Sequence, residues 1–354
     1  MSHVREVPVH GPAHVRDVRV AAEAAAARAG LDGDRTADAA LVATELATNL
    51  LEHAGGGRVL VDTVDSPLTA DGSPARVQVV AVDHGPGIRD VAAALRDGFS
   101  TTSSLGAGLG TCRRVADDFS LHSLPGHGTV VMARIGDGRD DRADADGPGF
   151  PVRAGGVNIP FAGAEHSGDA WAFVRSGDRV TLMLADGLGH GPDAARASSA
   201  AVEALRRSDR LPPAELLRRL DGALRGTRGA AVAVAQLDLA ARLLRFAGVG
   251  NIGARLRTGD GWRSLPCRPG IVGAHRPAAA LQRQVDWADD CLLVLHSDGL
   301  PGDWSPGPAV HHPSLDPAVI AAVIVRDASS PARPVRDDIA VAVLSPSSPP
   351  EPSS

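Results

Sequence analysis

Residues 36–54 read TADAALVATELATNLLEHA. Val42, Leu46 and Leu50 recur at intervals of four, which predicts a helix with one buried stripe, and Glu45 and Asn49 share a second, polar face. Such a face alone is what any solvated helix shows, so its meaning depends on the neighbouring motifs. DHGPGI at 83–88 puts Asp83 at the end of the apolar run ARVQVVAVD, and Gly85 and Gly87 behind it permit a tight turn and close ligand approach. GFSTTSSLGAGLG at 98–110 then brings Gly106, Gly108 and Gly110 to the start of a short helix, where unpaired backbone N–H groups can receive phosphate oxygens. The hydroxyl-rich residues ahead of that loop are no strand, so it fails the dinucleotide-binding pattern.

The rest of the chain narrows the chemistry. All 36 basic side chains among the 354 residues are arginine. P-loop NTPases, kinases that use a strand lysine, and Schiff-base enzymes are thereby excluded. Tyrosine is absent, aromatics are 3% and the net charge is -6, which argues against nucleic acid as a partner. Cys112, Cys267 and Cys291 are an odd number at wide spacing, so neither a disulfide framework nor a thiolate metal site is expected. The first ten residues hold no apolar leader and no run approaches the roughly 18 apolar residues of a membrane span, so a cytoplasmic protein without a membrane partner is expected.

Length suggests two domains, and GDGRDDRADADGPG at 136–149, which lacks any large apolar residue, reads as the linker between them. Before it, residues 15–29 and 36–54 have helical periodicity, VLVDTV and ARVQVVAVD read as strands, residues 111–118 as a short helix, and SLHSLPGHGTVVMARI as a closing hairpin. After it, strands are expected at AWAFVRSG, RVTLMLAD, AAVAVAQLD, RLLRFAGVG, ARLRTG, CLLVLHSD and DIAVAVL, with helices at 193–207, 213–224 and 317–327. The expected fold class is α+β with mostly antiparallel strands.

Four acidic sites in this second segment stand at strand edges: Asp169 before one, Asp186 and Asp298 just after two others, and the pair Asp337 and Asp338 before the last. Any one alone is an ordinary turn or cap residue. Together they make the oxygen-rich cluster that Mg²⁺ or Mn²⁺ selects. Arg153 is a guess for a phosphate-binding cation. His190 suits turn packing better than metal ligation, and His311 and His312 lack ligand spacing.

The ordered set E-x-x-x-N-x-x-x-H-A, D-x-G-x-G-I and a G-x-G-x-G loop before a helix resembles the N, G1 and G2 boxes of the GHKL ATP-binding fold in its anti-sigma-factor class. ELATNLLEHAGGG and DGFSTTSSLGAGLGTCRRVADDFSLHS are most similar to RsbT-like serine/threonine switch kinases, over residues 10–135. That resemblance implies ATP and Mg²⁺ as cofactors, with Asn49 holding the ion, Asp83 accepting the adenine amino group, and Gly85, Gly87, Gly106, Gly108 and Gly110 lining the nucleotide. Glu45 would take the proton from an attacking hydroxyl. Arg113 and Arg114 could assist, although a pair early in a helix is more often surface charge.

Residues 150–344, through DGLGHG, AGVGNIGARL, SDGL and DDIAV, resemble the SpoIIE/RsbX class of metal-dependent protein phosphatases. The resemblance implies two Mn²⁺ or Mg²⁺ ions bridged by Asp186, one also held by Asp169 and the Gly187 carbonyl, the other by Asp298 and Asp337. A water shared by ions roughly 3.5–4 Å apart would attack phosphorus in line. Where that family usually continues with Thr, this chain has Ala340, which puts local hydrogen bonding in doubt.

The expected architecture is thus a GHKL-type α/β sandwich over 1–135, the linker at 136–149, a helix-flanked β-sandwich phosphatase over 150–345 and a disordered tail at 346–354. The implied function is a bifunctional kinase and phosphatase acting on STAS-domain partners of a stressosome or partner-switching pathway. A sigma factor or a downstream phosphatase are the further partners considered. The alternatives are a phosphatase with a non-catalytic nucleotide-sensing or partner-binding N-terminal domain, and an anti-sigma factor fused to a phosphatase.

Overall fold

A computed structural model of the chain describes residues 4–64, 75–96, 108–138, 152–161, 164, 166–275, 281–301, 304–305, 307, 315–328 and 337–347. Gly106, most of the expected linker, His311, His312 and the tail from 348 onward lie outside these residues. The described residues form two compact units, one before residue 139 and one after 151.

In the first unit, β1 (Arg5–Val9), β2 (Gly57–Val64), β3 (Arg76–Val82), β4 (Asp118–Leu124) and β5 (Gly128–Ile135) make an antiparallel sheet in the order β1-β2-β3-β5-β4. Two long helices, α1 (Pro12–Ala29) and α2 (Gly33–Ala54), pack against it, while α3 (Val91–Ala94) is a single turn and α4 (Leu109–Val115) is short. Proline at the first position starts α1. The Asp32 carboxylate accepts from Arg35 N–H (2.8 Å) to cap α2. The expected stripe Val42, Leu46 and Leu50 is buried with Val18, Ala22, Ala25 and Ala26 of α1 against Val59, Val61, Val77 and Val79 of the sheet. The short helix expected at 111–118 ends at Val115, because Asp118 already pairs with Arg134 at the start of β4.

The second unit stacks two antiparallel sheets. One runs β13 (Arg283–Asp286), β10 (Leu243–Val249), β9 (Ala230–Asp238), β8 (Arg179–Gly187), β7 (Asp169–Ser176). The other runs β12 (Gly261–Ser264), β11 (Gly253–Thr258), β14 (Leu292–His296), β15 (Ile339–Pro346), β6 (Val152–Ile159). Leu182, Leu184, Ala233 and Phe246 from the first meet Leu256, Leu293, Leu295 and Ala342 from the second in one buried core. On the outer face of the first sheet, α5 (Pro192–Arg206) and α6 (Pro213–Ala223) bury Ala201, Leu205, Leu216 and Leu220. On the outer face of the second lies α7 (Pro317–Ala328), packed on β6 and β15. The last strand includes Pro346, one residue into the expected tail.

Strands β1, β6, β12 and β13 were not expected from the sequence. β1 carries Pro8, which only an edge strand tolerates. β6 carries a Gly155-Gly156 pair for a packing reason: a side chain at Gly155 would run into the first turn of α7, and one at Gly156 into the Trp171 ring. Among the described residues no helix is long and apolar enough to cross a membrane.

Candidate functional sites

In the first unit, α2 presents Glu45 and Asn49 half-buried. Burial, and secondarily the charge of Glu52, raise the Glu45 carboxyl above its ordinary value. The Asn49 amide nitrogen is buried without a hydrogen-bond partner, so this amide is not spent on the protein. Asp83 is buried at the end of β3, and its Oδ1 accepts from the N–H groups of Gly85 (2.7 Å) and Thr129 (3.1 Å). The turn behind it leans on α2: a Cβ at Gly85 would lie 2.8 Å from Cα of Ala54. Gly87 has φ +70°, and a Cβ there would strike the Leu124 carbonyl. These glycines are thus demanded by protein packing, where the motif alone assigns them to a ligand.

Gly108 is the N-cap of α4 and Gly110 is buried in its first turn. Cys112 in the same helix is pushed up to about 12 by burial, then by the nearby charge of Glu45, which puts α4 beside the polar face of α2. Arg113 and Arg114 are exposed in the last turn of α4, as surface charge would be. α2, the Asp83 turn and α4 therefore meet, with an untied amide and a carboxylate of raised pKa among them. That donor set fits a nucleotide and its cation.

In the second unit, antiparallel connectivity brings strand ends to one edge of the sandwich. Asp169 opens β7 and Asp186 nearly closes β8, and the two are direct cross-strand partners. Asp298 follows β14 and Asp337 and Asp338 precede β15, neighbouring strands of the other sheet. The five carboxylates feel one another. Burial first, then Asp186, holds Asp169 well above the carboxylate range. Burial, then Asp298 and Asp337, pushes Asp186 up to about 7. Burial and Asp337 raise Asp298. Among the described residues no three His, Cys, Asp or Glu side chains stand close enough together to hold one ion, so the carboxylates share an edge without forming a ready-made metal site. Asp169 Oδ2 is buried and without a hydrogen-bond partner, which suits a divalent cation.

Within this cluster the roles divide. Asp338 is spent on the fold: its Oδ1 accepts from Phe161 N–H (2.8 Å) and its Oδ2 from Gly168 N–H (2.9 Å). Asp337 is exposed, and its Oδ1 takes the Asp338 N–H at 2.9 Å. Gly187 N–H donates to the Gly168 carbonyl (3.0 Å), and a Cβ at Gly187 would strike the Ala194 carbonyl of α5. The positions that could take metal are therefore Asp169, Asp186, the Gly187 carbonyl, Asp298 and Asp337.

Two supporting residues escaped the sequence reading although both lie inside the phosphatase-like motifs. Asn251 donates from Nδ2 to Asp298 Oδ2 at 2.5 Å. Ser297 is fully buried; its hydroxyl bonds Asp169 and accepts from Ala340 N–H (2.9 Å), while its N–H donates to the Ala340 carbonyl (3.0 Å). Ala340 is thus served through its backbone, and its methyl joins the intersheet core. Arg153 is corrected: its Nη2 donates to the Leu315 carbonyl (3.2 Å), and it sits six residues along β6 from Ile159, roughly 20 Å from the cluster end. His190 is exposed, tilted against Phe161 with ring centroids 6.4 Å apart.

Two family models match the chain: the histidine kinase-like ATPase domain over residues 10–135, and stage II sporulation protein E (SpoIIE) over residues 176–346. The fold and the two sites thus define an ATPase-type kinase-like domain followed by a SpoIIE phosphatase domain. Over 104 residues, 28% of the chain and 74% of the relative, it is 40% identical to serine/threonine-protein kinase RsbT of Bacillus subtilis (strain 168). Through this first domain the chain belongs to the RsbT family of histidine kinase-like ATPases. It is also similar to a chain from a structure of the bacterial stressosome, a modular system adapted to control secondary messenger signalling. That likeness has 29% identity and a TM-score of 0.50, covering 55% of this chain and 100% of the other. A second likeness is to RsbX in complex with magnesium, with 18% identity and a TM-score of 0.48, covering 56% of this chain and 96% of the other.

Proposed function

We propose that the chain carries two opposed activities of a partner-switching pathway. The first domain transfers the γ-phosphoryl group of ATP to a Ser or Thr of a STAS-domain protein. The second hydrolyses phosphoserine or phosphothreonine. The observation that carries the reading is the five-carboxylate cluster at one edge of the sandwich, with Asp169 facing Asp186 across the β7–β8 ladder. Acids crowded into mutual repulsion do nothing for stability on their own and match a site that is completed by divalent cations.

In the phosphatase site Asp186 would bridge two ions, Asp169 and the Gly187 carbonyl would hold one, and Asp298 and Asp337 the other. Bound Mn²⁺ or Mg²⁺ would supply charge neutralisation and an acidified water. Asn251 fixes the orientation of Asp298 and Ser297 that of Asp169. In the kinase site Asn49 would hold Mg²⁺, Asp83 would receive the adenine amino group, and Gly108 and Gly110 would border the phosphates. Glu45 takes the substrate hydroxyl proton, and its raised pKa makes it a stronger base. Relatedness to RsbT and the likeness to a stressosome chain support a STAS-domain substrate.

Purified protein with Mn²⁺ or Mg²⁺ should hydrolyse p-nitrophenyl phosphate and a phosphoserine protein, and with ATP and Mg²⁺ should phosphorylate a STAS-domain protein. Undiminished hydrolysis in EDTA would sink the two-metal assignment. ATP binding without transfer to any STAS candidate would leave the first domain a nucleotide-sensing module, and stable co-purification with a sigma factor in place of a STAS protein would make it an anti-sigma factor. Opposed activities left running together form a futile cycle, so the partner is expected to favour one; equal kinase and phosphatase rates with and without it would count against that.

A further inference from the structure

Arg228 stands beside the turn that follows Asp186 and the end of β8. The β8–β9 ladder pairs Asp186 with Ala231 and Gly187 with Ala230. It continues past the strand ends, where Leu188 N–H donates to the Gly229 carbonyl at 3.0 Å. One residue further, Arg228 Nη1 lies 3.1 Å from where a Cβ on Gly189 would sit, and its Nη2 lies 3.0 Å from Asp193 Oδ2.

The backbone under this arginine is fixed. Thr227 N–H and Oγ1–H both donate to the Leu224 carbonyl (3.0 and 2.7 Å), and Gly229 N–H donates to Thr227 Oγ1 (3.0 Å). Gly229 has φ +83°, and a Cβ there would lie 2.6 Å from Ile271 Cγ2, so the turn admits no other residue. The side chain at its tip is nonetheless 52% exposed. A rigid root with an accessible head is the arrangement that loses least entropy on binding a ligand.

Charge decides which ligand. Asp193 serves two arginines, since its Oδ1 also takes Arg196 Nη2 at 2.9 Å, so one carboxylate against two guanidinium groups leaves a net positive charge on this rim. A cation beside the turn that follows Asp186 cannot help to hold metal; it favours an anion arriving there. Along the ladder Arg228 is three residues from the cross-strand partner of Asp186, about 10 Å of backbone. A long guanidinium side chain on one side and a phosphoamino acid on the other can close that gap. The contact with Asp193 is an exposed pair and is cheaply exchanged.

We propose that Arg228 binds the non-bridging phosphoryl oxygens of the phosphoserine or phosphothreonine substrate, giving up Asp193 for them through its planar fork. The inference rests on the phosphatase reading above and adds a substrate contact from the chain's own cations.

The experiment uses the full chain with Mn²⁺, a phosphoserine peptide as substrate and inorganic phosphate as competitive inhibitor. Arg228→Ala should raise both the peptide KM and the phosphate inhibition constant about 10-fold or more, with a smaller change in kcat. Arg228→Lys should recover part of the loss, and Mn²⁺ affinity measured by titration should not weaken. Values within about twofold of wild type for KM and phosphate inhibition, in a variant with wild-type thermal melting, would overturn the inference alone. If Arg228→Ala does not fold, Asp193→Asn decides: freeing the guanidinium should tighten phosphate inhibition about threefold, and no change or a weakening would overturn it. A wild-type chain inactive with both Mn²⁺ and Mg²⁺ would remove the phosphatase reading and this inference with it.

Discussion

In the first unit the acidic groups at the candidate site are few and separately housed. Glu45 is tuned mainly by burial, and Asp83 has one oxygen tied to two backbone N–H groups. In the second unit five carboxylates crowd one edge, and each of Asp169, Asp186 and Asp298 is raised by its acidic neighbours as well as by burial. The contrast separates two ways of handling phosphate without lysine. On the proposed reading, a site that needs one base leaves it a single acidic neighbour, Glu52. A site that needs cations collects acids until only cations satisfy them.

Substitutions put that contrast at risk. Asp186→Ala removes a carboxylate that faces acids of both sheets, and hydrolysis of p-nitrophenyl phosphate is expected to fall to background while ATP binding is unchanged. Glu45→Ala should cost phosphotransfer to a STAS protein about 10²–10⁴-fold with ATP affinity retained, measured by radiolabel transfer and nucleotide titration. Asn251→Ala leaves every proposed ligand present but frees Asp298, so activity or Mn²⁺ affinity should drop about 10–100-fold. If Asn251→Ala proves as damaging as Asp186→Ala, the division into ligands and supports is wrong.

Two stability changes are smaller. Gly87→Ala forces a side chain into a left-handed turn against the Leu124 carbonyl and should destabilise the first unit by about 1–3 kcal/mol, read as a shifted denaturant midpoint. The second unit should show a mild dependence on acid. His296 accepts from Trp304 Nε1–H at 3.0 Å, and burial holds its pKa below the ordinary 6.5. The unfolded chain therefore binds this proton more readily than the folded one. The stability contributed by neutral His296 is complete above pH 6.5 and is lost as pH falls through 6.5 toward the lower folded value. The raised carboxyls of Asp169, Asp186 and Asp298 contribute with the opposite sign, so the check is the difference in thermal melting between wild type and His296→Gln across that window, which should shrink as pH falls.

Much of the architecture was legible because its signals are local. The stripe of Val42, Leu46 and Leu50 reads as a helix from spacing alone, and the strand-end aspartates were visible as breaks after apolar runs. What escaped depended on contacts distant in sequence. β6 hides behind two glycines that make sense only once α7 and Trp171 are seen to press on them. Asn251 and Ser297 lie within conspicuous motifs, yet nothing local shows that one orients Asp298 and the other bonds Asp169. Gly85 and Gly87 illustrate the converse: a glycine-rich turn reads as room for a ligand, and here the neighbours that fill that room are Ala54 and Leu124.

The β7–β8 hairpin has a practical consequence. Its turn at Gly177 and Asp178 is at one end, and the Asp169–Asp186 pair is at the other, roughly 25 Å away along the strands. The ladder between them works as a ruler. A short reporter peptide inserted at the turn leaves the ruler's length and phase intact and should be silent in catalysis. Deleting a single residue inside β8 shifts its phase by half a period and carries Asp186 to the opposite face of the sheet.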